Sequence, residues 1–412
     1  MAVGTVAVAA MLSPLNTSMF PVALPDLQRE FSTSAGASTW LLTVFALASA
    51  VGHPLAGYLA DRLGPRRVLL AGLVVTCLSA LIAASAATFS LLVALRAVQA
   101  LGTGTAFPAG IALLRMLDAP HRSDRPLPPA WLGAVAMVAN LGAALGPMLG
   151  AALLVTVGWR ALFLANLPVV MAATPLLLCH FPADRAGMWR DAGSAARGRI
   201  VLQRQPFSVS ARFAVACTVF FAAFFALPLW LLQSSRLGGV ETGAAMAPMV
   251  IVSALITPLA ARTVSRSGAA ATSLVGAGGL CLGMGLLVTM NARTSVVVPV
   301  AAMVALGAAH GFNNLGLQAQ LTDGASAAQL GTAAGLFQAA RFVGAALATG
   351  LVGITVATDA STDDWRQLWV AGEILSIALL GWAAMSWKRG GGRVDVAHVT
   401  TPRSSHDNRR NR

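Results

Sequence analysis

GYLADRLGPRRVLL, residues 57–70, places Asp61, Arg62, Arg66 and Arg67 within seven positions of one another, in a chain of 412 residues of which only 10% are charged. Apolar residues make up 57% of the chain and its mean hydropathy is +0.73, above the roughly 45–50% apolar content of soluble domains. A helix that crosses a bilayer needs about 20 mostly apolar residues. Dividing the chain where charges and turn residues cluster gives twelve such spans, at 3–25, 38–60, 67–86, 90–114, 130–156, 161–180, 211–232, 244–262, 270–290, 295–319, 329–356 and 367–387. The quoted stretch is then a charged turn between the second and third spans. The chain is predicted to be an all-α integral membrane protein, because only helices and closed barrels satisfy every backbone group in lipid.

The formal charge of +13 raises nucleic acid as a partner, and the placement of the 28 basic residues argues against it. With the N-terminus on one side, 21 of them fall on that side, five fall opposite, and Arg96 and Arg341 lie inside spans. By the positive-inside rule both termini are expected in the cytoplasm and the protein in the inner (plasma) membrane. Trp40, Trp131, Trp159, Trp365 and Trp387 sit near span ends, the interfacial position that indole favours. The first span has no basic segment before it and is interrupted by Asn16, Thr17 and Ser18, so it reads as a retained helix rather than a signal peptide. Cys77, Cys179, Cys217 and Cys281 fall in four different spans without metal or redox spacing. No metal or cofactor is expected.

The longest hydrophilic interior segment, 181–210, separates six spans from six. It reads as a cytoplasmic linker between an N-terminal bundle (1–180) and a C-terminal bundle (211–387), with a basic cytoplasmic tail at 388–412. The halves resemble each other. PLAGYLADRLGPRRVLLAGL (54–73) and PLAARTVSRSGAAATSLVGA (258–277) share seven of twenty positions at an offset of 204, including Pro54 with Pro258, Arg62 with Arg266 and Gly64 with Gly268. GAAL recurs in the fifth span of each half, at 142–145 and 344–347. Two pseudo-symmetric six-helix bundles of this kind are the arrangement of major facilitator transporters.

GYLADRLGPRR resembles the major facilitator motif between helices 2 and 3, with Gly57, Asp61, Arg62, Gly64, Arg66 and Arg67 in matching positions. The resemblance implies that the acid and arginines latch helix ends on the cytoplasmic side when the transporter opens outward. LLVALRAVQALGTGTA (91–106) resembles the family's helix-4 motif through Arg96, Gln99, Gly102 and Gly104. GAVAMVANLGAALGPMLGA (133–151) is similar to its helix-5 antiporter motif through Gly142, Gly146, Pro147 and Gly150, which favours export over import. LNTSMFPVALP (15–25), TVGWRALFLANLPV (156–169) and QLGTAAGLFQAARFVGAALA (329–348) resemble segments of the drug:proton antiporter branch. Twelve spans rather than that branch's commoner fourteen are counted here.

One departure matters: Asn16 stands where the branch's helix-1 signature has an aspartate, and an amide does not take up a proton at physiological pH. The candidates left for proton coupling are Glu373, the carboxylate clearly within a span, and His310 in the tenth span. Asn16, Arg96, Gln99, Asn140, His310, Asn313, Asn314 and Arg341 are polar groups inside apolar spans and are expected to line a midplane cavity. With two interior arginines and few interior acids, an anionic or neutral solute fits better than a dication. The sequence carries neither a GxxxxGK[ST] loop nor an HExxH motif, so direct ATP use and zinc enzymology are not expected. The expected function is export of small amphipathic or hydrophobic compounds by proton antiport in a monomer. An uptake symporter or facilitator, or a transport-dead sensor, is the alternative.

Overall fold

In the computed structural model the described residues are 1–122, 127–181, 204–234, 239–291, 294–324, 330–355 and 362–390. Among them every regular element is a helix. Most of the linker expected at 181–210 and of the tail expected at 388–412 lies outside the described residues.

The helices of the first half are α1 (Ala2–Glu30), α2 (Ala35–Leu63), α3 (Pro65–Ala84), α4 (Phe89–Leu117), α5 (Pro129–Thr156) and α6 (Arg160–His180). Those of the second half begin with α7 (Arg204–Ser234). Helix α8 starts as Gly239–Leu255 and continues past Ile256 into the segment Thr257–Val288, which bends at Gly268, and its remainder, 269–288, is α9. Then come α10 (Val297–Gly324), α11 (Leu330–Thr355) and α12 (Thr362–Gly390). Eleven described helices are long and apolar enough to span by themselves, and Met246–Leu255 of α8 is a shorter apolar helix. The twelve expected spans are all present as helical segments, and the fold is an all-α membrane architecture of two six-helix bundles.

The internal repeat is written in the backbone. Gly64 ends α2 with φ 98° and Gly268 ends α8 with φ 86°, at the same place in each half. In this left-handed region a Cβ meets the neighbouring carbonyl, so glycine is the residue that turns the chain tightly there. Proline follows Gly64 as Pro65, in the first turn of α3, where its missing N–H would have had no helical partner anyway.

Helices in lipid gain little from hydrophobic burial against one another, so close packing has to hold them. Gly142, Gly146 and Gly150, four residues apart on α5, form one face against α1. A methyl on Gly142 would strike Met11, one on Gly146 would strike Ser18, and one on Gly150 would lie 2.7 Å from the Met19 carbonyl. Pro147 of the same motif lies inside α5 and points away from α1, exposed.

The side of the molecule that carries Arg62, Arg66, Arg67, Arg262 and Arg266 is called here the basic face. On that side one apolar core joins the bundles, with Ala60, Leu69, Leu113 and Leu132 of the first half packed with Ala260, Val264, Leu315 and Ala334 of the second. Toward the opposite side each bundle has its own core. Phe20, Leu27, Leu92 and Phe163 make one, and Phe220, Leu227, Leu306 and Trp369 the other. The bundles are therefore shut together at the basic face and separately cored beyond it.

If Gly268 is required by its backbone conformation, Gly268→Ala lowers stability by about 1–2 kcal/mol. Gly278→Ala, in the helical interior of α9 with open space around its Cβ position, raises it by roughly 0.5–1 kcal/mol. Thermal unfolding in one detergent compares the two.

Candidate functional site

At the basic face, the end of α2 meets the start of α11. Asp61, 9% exposed, turns its carboxylate onto the first turn of α11. One oxygen, Oδ1, accepts the N–H of Gly331 at 3.0 Å, while Oδ2 accepts the N–H of Thr332 at 2.8 Å and its hydroxyl at 2.6 Å. The first N–H groups of a helix have no partner within it and carry the positive end of its dipole. A carboxylate supplied by the other bundle fills that role here. Glycines permit the approach: a methyl on Gly57 would run into the Gly331 carbonyl, and one on Gly335 into the carbonyl of His53.

Two arginines of the same turn, Arg62 and Arg66, have partners within their own bundle. Arg62 stacks on Tyr58 with its guanidinium carbon 4.5 Å from the ring centre, and Arg66 donates to the carbonyl of Leu178 on α6 at 3.5 Å. Asp61 hydrogen-bonds across to the other bundle. Gly331 and Thr332 are partners of Asp61 that the sequence reading missed, although Gly-Thr opening an apolar helix was a usable signal for a helix start.

Deeper in the first bundle, Arg96 of α4 is completely buried. It donates from Nη1 to the Gln99 Oε1 at 2.6 Å and the Asn16 Oδ1 at 3.2 Å, and from Nη2 to the Asn16 carbonyl at 2.9 Å. Its guanidinium carbon lies 3.6 Å from the centre of the Phe20 ring and 4.1 Å from that of Phe45. Asn16 also pairs with Asn166 of α6, each amide donating to the other's oxygen at 2.5 and 3.3 Å. Asn16 thus gathers α1, α4 and α6 around a cation, and Asn166 is a member the sequence reading did not single out. The Nε2 of Gln99 has no hydrogen-bond partner.

The second bundle holds its own interior arginine. Arg341 of α11 lies within electrostatic reach of His53 on α2, Cys217 on α7 and His310 on α10. Its guanidinium carbon is 5.9 Å from the Phe213 ring centre, and its buried Nε has no partner. His310 stacks on Phe220 at 4.0 Å between ring centres and on Phe213 at 6.4 Å, with Nδ1 unpartnered. His53 faces Phe342 at 5.3 Å and is bonded through Nδ1 to the Ser49 carbonyl. Among the described residues no carboxylate lies within ion-pair distance of Arg96 or Arg341. A buried cation held only by amides and aromatic faces is short of negative charge, and it suits an anion or the electron-rich face of a neutral solute.

The other expected cavity residues divide. Asn140 of α5 and Asn314 of α10 are buried, and the Nδ2 of Asn140 is unpartnered. Asn313 packs on Gly276 of α9, where an added Cβ would lie 2.6 Å from its backbone nitrogen, so it faces the interior of its own bundle. Glu373 of α12 sits beside Gly285 of α9, half-buried, with Oε2 unpartnered. Asn313, expected to line the cavity, and Glu373, expected as a proton-coupling candidate, both lie against α9.

Removing one partner of a buried amide pair leaves the other unsatisfied. Asn166→Ala should cost about 1–3 kcal/mol. Asn16→Ala made in addition should cost less than the sum of the single changes, since both act on one network. Thermal midpoints of the single and double variants measure this.

The sequence model of the Major Facilitator Superfamily matches residues 6–349. The chain is 29% identical to YwoD, an uncharacterized MFS-type transporter of Bacillus subtilis, with 85% of this chain and 88% of that one covered. It is 24% identical to a multidrug resistance protein B homolog of Mycobacterium tuberculosis, over 85% of this chain and 75% of that one. In structure it resembles the human organic anion transporter MFSD10 (TETRAN), with a TM-score of 0.73, 16% sequence identity and 93% and 98% of the two chains covered. The motif at residues 57–67, the duplicated bundles and this match over most of the length place the chain in the Major Facilitator Superfamily of membrane transporters.

Proposed function

We propose that this transporter exports small amphipathic solutes, anionic or neutral, from the cytoplasm by rocking its two bundles. The observation that carries the reading is the pair of interior arginines, Arg96 and Arg341, each without a carboxylate in ion-pair distance among the described residues. A dication would meet two like charges in a low-dielectric centre. Export is supported by the helix-5 motif and by relatives that include multidrug resistance and methylenomycin A resistance proteins. The fold is shared with a human organic anion transporter.

In this reading the basic face is cytoplasmic and the conformer is the outward-facing one. Asp61 holds α11 while the bundles are separately cored toward the other side. Release of that carboxylate and parting of the glycine contact would open the inward path.

The driving force follows from charge. One elementary charge crossing 100 mV gains about 2.3 kcal/mol, so an anion leaves an inside-negative cell downhill. A proton on His310 and an anion near Arg341 attract each other, which couples them in the same direction rather than in exchange. Proton antiport is the second reading. It falls to Glu373, a half-buried carboxylate apart from the arginines, and suits neutral solutes.

Vesicles with purified protein separate these readings when potential and pH gradient are imposed independently with valinomycin and nigericin. Export of a fluorescent organic anion should follow the potential at zero pH gradient. Arg341→Gln should slow it by at least about tenfold, the size of one charged hydrogen bond, with less effect on a neutral solute. Glu373→Gln should abolish only the stimulation of neutral-solute export by the pH gradient. Robust export of a dicationic dye, with anions left in place, contradicts the substrate assignment.

A further inference from the structure

Between α5 and α8, at the basic face, lies a cavity of about 380 Å³ lined by Ala130, Gly133, Ala134 and Met137 of the first bundle and by Pro258, Ala261, Arg262, Ser265 and Arg266 of the second. Its volume falls in the range of small-ligand pockets. None of the residues proposed above for transport lines it. From these contacts we infer that this cleft is a binding site for an anionic membrane phospholipid, with an acyl chain in its apolar part and the phosphate on Arg262 and Arg266.

Three features carry the inference. The lining is graded. Arg262, Ser265 and Arg266 cluster near the turn at Gly268, whereas Pro258 lies eight residues deeper on the same helix, about 12 Å at the helical rise. The apolar end thus sits at hydrocarbon depth and the guanidinium pair at headgroup depth. The charge is unbalanced: Arg262 and Arg266 are exposed, one turn apart, without an ion-pair partner among the described residues, and the lining has no carboxylate. The cleft is also open, with Ala130 and Met137 of its lining exposed on an apolar span, as entry of an acyl chain requires. Small side chains keep the groove hollow even though the helices touch beside it, where a Cβ on Gly133 would come 3.1 Å from that of Ala261. Because both bundles line it, the site is complete only while they are closed together at this face.

The test is lipid retention by the full chain, read by native mass spectrometry after titration with dioleoyl phosphatidylglycerol or dioleoyl phosphatidylcholine. Wild-type protein is expected to hold one phosphatidylglycerol that resists exchange and no equivalent phosphatidylcholine. Replacing both arginines, Arg262→Gln with Arg266→Gln, should weaken that binding roughly 30-fold, from about a factor of five per basic residue at an anionic lipid. Arg262→Lys with Arg266→Lys should retain it. Ala134→Leu, which fills the groove and leaves the charges, should also remove the bound lipid. Thermal midpoints confirm that each variant is folded. Equal retention by all variants overturns the site, as does equal retention of phosphatidylcholine. Displacement of the lipid by inorganic phosphate alone would overturn it in favour of a site for soluble anions.

Discussion

A helix begins with backbone N–H groups that nothing inside the helix can accept, and in a membrane protein water is often not at hand to accept them. At the start of α11 this need is met from the other half of the molecule by the carboxylate of Asp61. Much of the closed basic face depends on that bond. It brings α2 and α11 into register, so that Gly57, Gly331 and Gly335 can meet backbone to backbone, and it sits at the edge of the single core shared by the bundles. A charged hydrogen bond is worth about 1.5–3 kcal/mol. That is the scale on which a two-state transporter can be biased without being locked.

Above this clasp the molecule keeps positive charge where membrane proteins usually avoid any. Arg96 is enclosed by amides and two phenylalanine rings, and Arg341 lies half-buried near Phe213, which stacks with His310. Asn16 explains how the first is tolerated. As an amide it both accepts from the guanidinium and exchanges hydrogen bonds with Asn166, so it ties three helices together without neutralising the cation. An aspartate at this position would have offered a counter-ion and a proton site. In its absence the charge of Arg96 is met by amide oxygens and aromatic faces alone among the described residues.

Much of the fold was legible in the sequence because its determinants are local. Span length, the placement of basic residues and the repeat at an offset of 204 need no tertiary knowledge, and Gly64 and Gly268 adopt the matching backbone that their matching positions imply. The interior position of Arg96 was legible for the same reason. What was not legible is pairing across distance. Nothing near Asp61 announces that its partner is 270 residues away at Gly331, and Asn166 is one polar residue among apolar ones until α6 is placed beside α1. Helix rotation was the other hidden variable. Glu373 and Asn313 are polar residues inside spans as His310 is, yet a turn of about 100° per residue decides what each one meets: His310 meets Phe213 and Phe220 of α7, while Asn313 and Glu373 meet Gly276 and Gly285 of α9.

The most direct measurement is the distance across the basic face, taken by pulsed electron resonance between nitroxide labels at Leu63 and Ser267. Both positions are exposed and lie on opposite bundles, and the labels would go on a background with Cys77, Cys179, Cys217 and Cys281 replaced. A dominant short distance is expected in the otherwise unchanged protein. Asp61→Asn should add a longer population, the equilibrium moving by roughly 10-fold or more for the loss of one charged hydrogen bond. An unchanged short distance in Asp61→Asn, with the protein folded, would contradict the claim that this carboxylate holds the two bundles closed.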